Sequence, residues 1–186
     1  MNEMIKIDPT EVLEKRLATG MGLDKYSKIM EMVHSVDVST NKEFQRTFNG
    51  FYIVRRNEEW REKYYNLFEQ KKMKDVTFEE ILQELYDLTG NVEASFSSKM
   101  YATIYPDKPI WDRYVVQNLG IKVPEVDKEE KIRIIISYYK EIEKWYESFL
   151  QTEDAKKCVE KFDELLPSYR WFSDVKKIDF FLWSIR

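Results

Sequence analysis

The sequence has one cysteine, Cys158, and one histidine, His34. A single thiol excludes an internal disulfide framework and any multi-cysteine metal site, iron–sulfur centres included. A single imidazole excludes paired-histidine metal motifs, and a Ser-His-Asp triad would have to run through His34. Five glycines and five prolines in 186 residues exclude collagen-like and Gly- or Pro-rich low-complexity chains. No apolar run reaches the roughly 18–20 residues that a membrane span needs. The longest are Ile132 to Tyr139, broken by Arg133, and Phe180 to Trp183. The opening stretch MNEMIKIDPTE lacks an apolar segment and a small-residue cleavage site, and predicts no signal peptide. There is no basic arm: 30 Lys plus Arg stand against 34 Asp plus Glu, for a net charge of −4. Non-specific nucleic-acid affinity comes mainly from cations neutralising phosphates. DNA binding therefore requires a local basic patch on a mildly acidic body. Together these absences predict a cytoplasmic protein with no membrane segment, metal or cofactor.

Hydrophobic residues make up 43% of the chain, enough to offset the entropy of ordering it and to exclude disorder. Helix punctuation is dense. Asp8-Pro9-Thr10-Glu11 supplies a cap acceptor, a proline at the first helical position and a Glu three after the cap. This predicts a helix to about Ala18, stopped by Gly20. Tyr26, Ile29, Met30 and Val33 place one buried stripe on a helix over Asp24 to Val36. A third helix follows Ser39-Thr40 and ends at Asn49-Gly50. Asn57 caps a fourth, with Trp60, Tyr64, Leu67 and Phe68 on one side, and Thr77 with Glu80 opens a fifth ended by Gly90. Helices over Ser95 to Ile104, Ile110 to Leu119, Asp127 to about Leu150, from Thr152 to a stop before Pro167, and Asp174 to Ile185 complete the reading. The expected fold is all-α, a single multi-helix domain of about nine or ten helices. The linker near 121–127 is the place where it would divide into two lobes sharing one core. Most of the 11 Phe, 12 Tyr and 5 Trp fall at helical spacing and read as core.

The least ordinary segment is Leu88 to Gly120. Ser95, Ser97, Ser98 and Thr103 sit on one predicted helix, where such residues are disfavoured unless another backbone or a ligand must come close. A stiff loop, Tyr105-Pro106-Asp107-Lys108-Pro109, then delivers Trp111-Asp112 to a helix start. A carboxylate there is favoured by the helix dipole, by roughly 0.3–1 kcal/mol, so Asp112 also has a plain capping role open to it.

In order, a Gly-containing turn between helices, a Pro-bearing loop and an Asp opening a helix resemble the helix-hairpin-helix DNA glycosylases. The matching positions are Gly90 for the hairpin glycine, Asp112 for the catalytic carboxylate, Val115 after it, and Leu119-Gly120 for the helix-ending pair. Val92 stands where the second hairpin glycine would fall, and Glu93 near the place of the lyase lysine. The resemblance therefore implies a monofunctional N-glycosylase-like hydrolase that needs no cofactor. In such a protein a flipped base is stacked by Trp111, Tyr101, Tyr105 or Tyr114. Asp112 stabilises the oxocarbenium-like sugar or orients water, and Lys99 and Arg113 hold phosphates.

The other reading is a non-catalytic helical protein that binds a protein partner through an exposed C-terminal patch of Phe180, Phe181 and Trp183. His34 ends an apolar stripe, and Cys158 lies beside Lys156 and Lys157 on an amphipathic helix; neither is placed in a site. The acidic pairs Glu58-Glu59, Glu79-Glu80 and Glu129-Glu130 open helices, where acids belong. The basic doublets Arg55-Arg56, Lys71-Lys72 and Lys176-Lys177 are dispersed and read as helix-terminal charge.

Overall fold

A computed structural model describes residues 7–20 and 22–185. The opening stretch read above for a signal peptide lies mostly outside that range. The described chain is all-α: α1 (Pro9–Thr19), α2 (Leu23–Met32), α3 (Lys42–Tyr52), α4 (Glu58–Lys71), α5 (Phe78–Thr89), α6 (Ala94–Ile104), α7 (Arg113–Asn118), α8 (Lys128–Phe149), α9 (Glu153–Leu165) and α10 (Asp174–Ser184). A 3-10 turn, Pro167–Tyr169, links the last two, and no strand occurs among the described residues. The cap signals act as expected. Asp8, Asn57, Asp127, Thr152 and Ser173 each accept a first-turn backbone N–H, and Thr77 and Glu80 close a reciprocal capping box.

Among the described residues two compact units form, one from residues 22–93 and one from residues 7–20 with 94–185. The division therefore falls at the α1–α2 and α5–α6 connections rather than near 121–127, which lies wholly within the second unit.

The 22–93 unit is built on rings. Phe48 on α3 has its centroid 4.7 Å from Tyr52, 5.8 Å from Phe44 and from Phe68, and 6.0 Å from Tyr64 and from Tyr65. Such offset and edge-on pairs add about 0.5–1.5 kcal/mol each beyond area burial. This cluster explains one boundary that departs from expectation. Asn49-Gly50 does not stop α3; burying Tyr52 carries the helix onward, and Ile53 closes it in the left-handed region at φ 53°. In α2 the helix proper ends at Met32 and turns carry the chain to Val36, with Val33 still fully buried.

In the other unit, α1 packs on α9 and α10, and α7 packs on α10. Helix α10 is buried over eight successive residues, Val175 to Leu182. A helix covered all round is a core element. Phe180 (3% exposed) and Phe181 (0%) lie inside it, while Trp183 is half-buried with the Arg16 guanidinium 4.8 Å from its ring centre. Phe180 and Phe181, two of the three residues of the expected C-terminal docking patch, are thus interior. No described helix is long and apolar enough to cross a membrane.

Candidate functional site around Asp112

The loop between α6 and α7 is held by side chains at almost every step. Ser173 donates to the Pro106 carbonyl, and Tyr139 Oη donates to the Pro109 carbonyl at 2.7 Å. Lys108 Nζ pairs with Glu143 at 2.7 Å. The Ile110 N–H is accepted by Asp179, and the Trp111 N–H by Ser98 Oγ at 2.7 Å. Buried backbone groups must find partners, and here those partners are side chains of α6, α8 and α10. That is why Ile110 and Trp111 remain outside the helix and α7 starts only at Arg113, three residues later than expected. Ser98 also shows what one small residue on α6 does: it lets the Trp111 backbone approach.

Asp112 stands at the end of this anchored loop. Its carboxylate caps α7, with Oδ1 accepting from the Tyr114 N–H at 2.8 Å, and the residue is half-buried. The capping role therefore exists, together with a buried charged group beside it. Lys99 on α6 is 8% exposed. Burial pushes its ammonium down to about 8, against the attraction of the Asp112 carboxylate and with further repulsion from Lys176. Its Nζ lies 5.1 Å from the Phe96 ring centre, a cation–π contact.

Behind it lies a second acid–base pair that the sequence reading left out. Asp179 is 2% exposed and Lys176 4%, with Lys176 Nζ 3.8 Å from Asp179 Oδ2. Tyr146 Oη donates to Asp179 Oδ1. Burial raises the Asp179 carboxyl to about 6; Lys176 and the Tyr146 hydroxyl oppose this, and the Asp112 charge reinforces it. The same carboxylates help hold the Tyr146 hydroxyl far above its ordinary value, burial being the larger cause. The available signal was a Lys-x-x-Asp pair one helical turn apart in the mostly apolar stretch from Val175 to Trp183, where an unpaired charge is costly. Lys177, next in the chain, ties α10 to Asp163 of α9 at 2.8 Å.

The other predicted residues divide into three groups. Trp111 (9% exposed) and Tyr101 (8%) are buried and offer no open stacking face. Tyr101 lies 5.2 Å from Tyr105 and 6.2 Å from Tyr139 between ring centres. Tyr105 and Tyr114 are half-buried, and Arg113 is exposed. Lys99, being buried, is placed to set the field around Asp112 rather than to grip a phosphate at the surface. Gly90 belongs to the other unit. There it is the left-handed stop of α5, at φ 70° with open space where a Cβ would stand. The unit boundary at Glu93 and Ala94 falls inside the hairpin-like stretch.

Cys158 is fully buried, and burial raises its thiol to about 12, which makes it inert at neutral pH. His34 is exposed. No group of three or more potential metal ligands occurs among the described residues. Comparison of the chain with family models, with curated proteins and with solved structures gives no match.

Proposed function

We propose that the protein is a monofunctional, DNA-glycosylase-like hydrolase acting on nucleic-acid bases, with Asp112 as its central carboxylate. The supporting observation is the convergence of a half-buried Asp112, fixed on an anchored loop, with the buried ammonium of Lys99. In this reading the bond between C1′ of the sugar and the base nitrogen breaks, and positive charge develops on the sugar. Ionised Asp112 stabilises that charge and orients the attacking water. Water supplies the hydroxyl to C1′ and, through a proton transfer, the hydrogen to the departing base. Lys99, lowered by burial to about 8, is mostly cationic at neutral pH and sets a positive charge near Asp112. In this reading Tyr114, half-buried two residues past Asp112, is the ring that stacks a flipped base.

The test is base release from duplex oligonucleotides carrying oxidised, deaminated or alkylated bases, read as alkali-sensitive abasic sites. The wild type releases at least one class, and Asp112→Asn slows release by about a hundredfold or more, the scale of a lost electrostatic stabiliser. Release that is unchanged in Asp112→Asn, or absent across the panel, refutes the proposal.

A further inference from the structure

Three cationic side chains converge on one cleft of the 22–93 unit. Its volume is about 350 Å³, and its lining includes Arg55 and Arg56 before α4, Asn57 at the α4 cap, Lys63 on α4, and Thr89 and Asn91 on either side of Gly90. Two of the cations are braced from behind. Arg56 Nη2 donates to the buried Glu93 at 2.7 Å, and its guanidinium lies 5.4 Å from the Trp60 ring centre. Lys63 Nζ is held by Glu59 at 2.8 Å. Arg55 is exposed and has no ion pair among the described residues.

A guanidinium carries five N–H donors and an ammonium three. Each braced group therefore keeps donors after its carboxylate partner is satisfied, and bracing lowers the entropy lost when a ligand is gripped. With Glu59 in the lining and Glu93 behind Arg56, the three cations exceed their carboxylate partners by one, on a chain whose net charge is −4. The positive end of the α4 dipole adds field of the same sign. The cleft is thus a local reversal of the protein's overall charge.

The one ring in the lining indicates which part of a ligand is read. Trp60 is 8% exposed, lies stacked on Tyr64 at 5.0 Å and 14°, and has Arg56 over its ring. So deeply buried a ring offers no open face to a base. The remaining lining is polar and suits a tetrahedral anion, which guanidinium forks bind in bidentate fashion. The exposure of Arg55 suits a phosphodiester presented by a polymer passing over the opening.

We infer that this cleft binds a backbone phosphate of nucleic acid, without regard to sequence, through Arg55, Arg56 and Lys63. The site and Asp112 belong to different units of the chain, and the test of the cleft does not involve base release.

The experiment is fluorescence anisotropy of a labelled duplex of about 20 base pairs, titrated with the full chain from about 0.05 to 0.3 M NaCl. Each cation that neutralises a phosphate contributes a slope of about −0.9 in log affinity against log salt, or about eightfold at 0.1 M relative to 1 M. Arg55→Ala flattens the slope by about one and weakens binding about eightfold at 0.1 M salt. Arg55→Ala with Lys63→Ala flattens it by about two, a loss of roughly sixtyfold. Arg133→Ala, on the exposed side of α8, removes the same charge as Arg55→Ala and leaves binding unchanged. Inorganic phosphate at constant ionic strength displaces the duplex. Arg55 is exposed and unpaired, so its variant tests the cleft without testing the fold. The inference is overturned if the duplex does not bind at low salt, if binding ignores Arg55 and Lys63, or if Arg133→Ala is equally damaging. Inorganic phosphate that shifts the Arg55 and Arg56 side-chain resonances, with no duplex binding, also overturns it and makes the cleft a free-phosphate site.

Discussion

Replacing Asp179 by Asn removes a carboxylate that the fold buries at a cost. The carboxyl titrates near 6 in the folded chain against an ordinary value of 3.8. That difference corresponds to roughly 3 kcal/mol between its two protonation states. Well below pH 4 the group is neutral both folded and unfolded, so the wild type and the Asp179→Asn variant carry the same charges. Between about pH 4 and 6 the folded protein keeps a proton that the unfolded chain has released. Stability therefore falls as pH rises through this window and levels off above it. The pull of Lys176, the Tyr146 hydrogen bond and the push of Asp112 are already contained in the value near 6. The amide also retains an oxygen for the Ile110 N–H and for Tyr146. Wild type and Asp179→Asn should therefore be nearly equal in stability near pH 3. The variant should lead by about 3 kcal/mol by pH 7. Urea denaturation followed by tryptophan fluorescence, repeated at half-unit pH intervals, measures the gap. Parallel curves, or a variant less stable than wild type at pH 7, would refute the reasoning.

Three further outcomes follow from other parts of the structure. Ile53, exposed and left-handed at φ 53°, bears a strain of about 1–2 kcal/mol. Ile53→Gly should therefore raise stability by about 1 kcal/mol in thermal denaturation. Glu93, 5% exposed, accepts from Arg56 at 2.7 Å and from the Trp60 indole at 3.2 Å; Glu93→Ala should cost about 2–3 kcal/mol and shift Trp60 emission. Cys158, its thiol raised to about 12 by burial, should resist a disulfide reagent at pH 8 in the native protein and react fully in denaturant.

Helix existence could be read along the chain because capping is local: Asp8, Asn57, Thr77, Asp127, Thr152 and Ser173 all act within four residues of where they stand. The errors came where distant packing overruled local signals. Asn49-Gly50 has the composition of a stop, but Tyr52 is drawn into a ring cluster supplied by α4. Ile110 and Trp111 have helical neighbours, yet Asp179 and Ser98 take their backbone donors. The same limit governs the site. Lys99 and Asp112 belong to one short segment and could be paired by inspection. Asp179, Lys176 and Tyr146 come from the last and the longest helices, and only the packing of α8 and α10 brings their charges to that segment. Phe180 and Phe181 reversed meaning for the same reason, because an aromatic run is a surface patch or a core according to what packs on it.

The pairing of α1 with α9 and α10 also has a bearing on how the chain is made. During vectorial synthesis the first helix leaves the ribosome long before its partners exist. The 22–93 stretch, by contrast, holds its ring cluster within one continuous run and can collapse as soon as it is out. Too short to be stable by itself, α1 lacks its partners until α9 and α10 follow it. In a nascent chain arrested before α9 the backbone of α1 should therefore exchange its amide hydrogens freely, and protection should appear once α10 is complete.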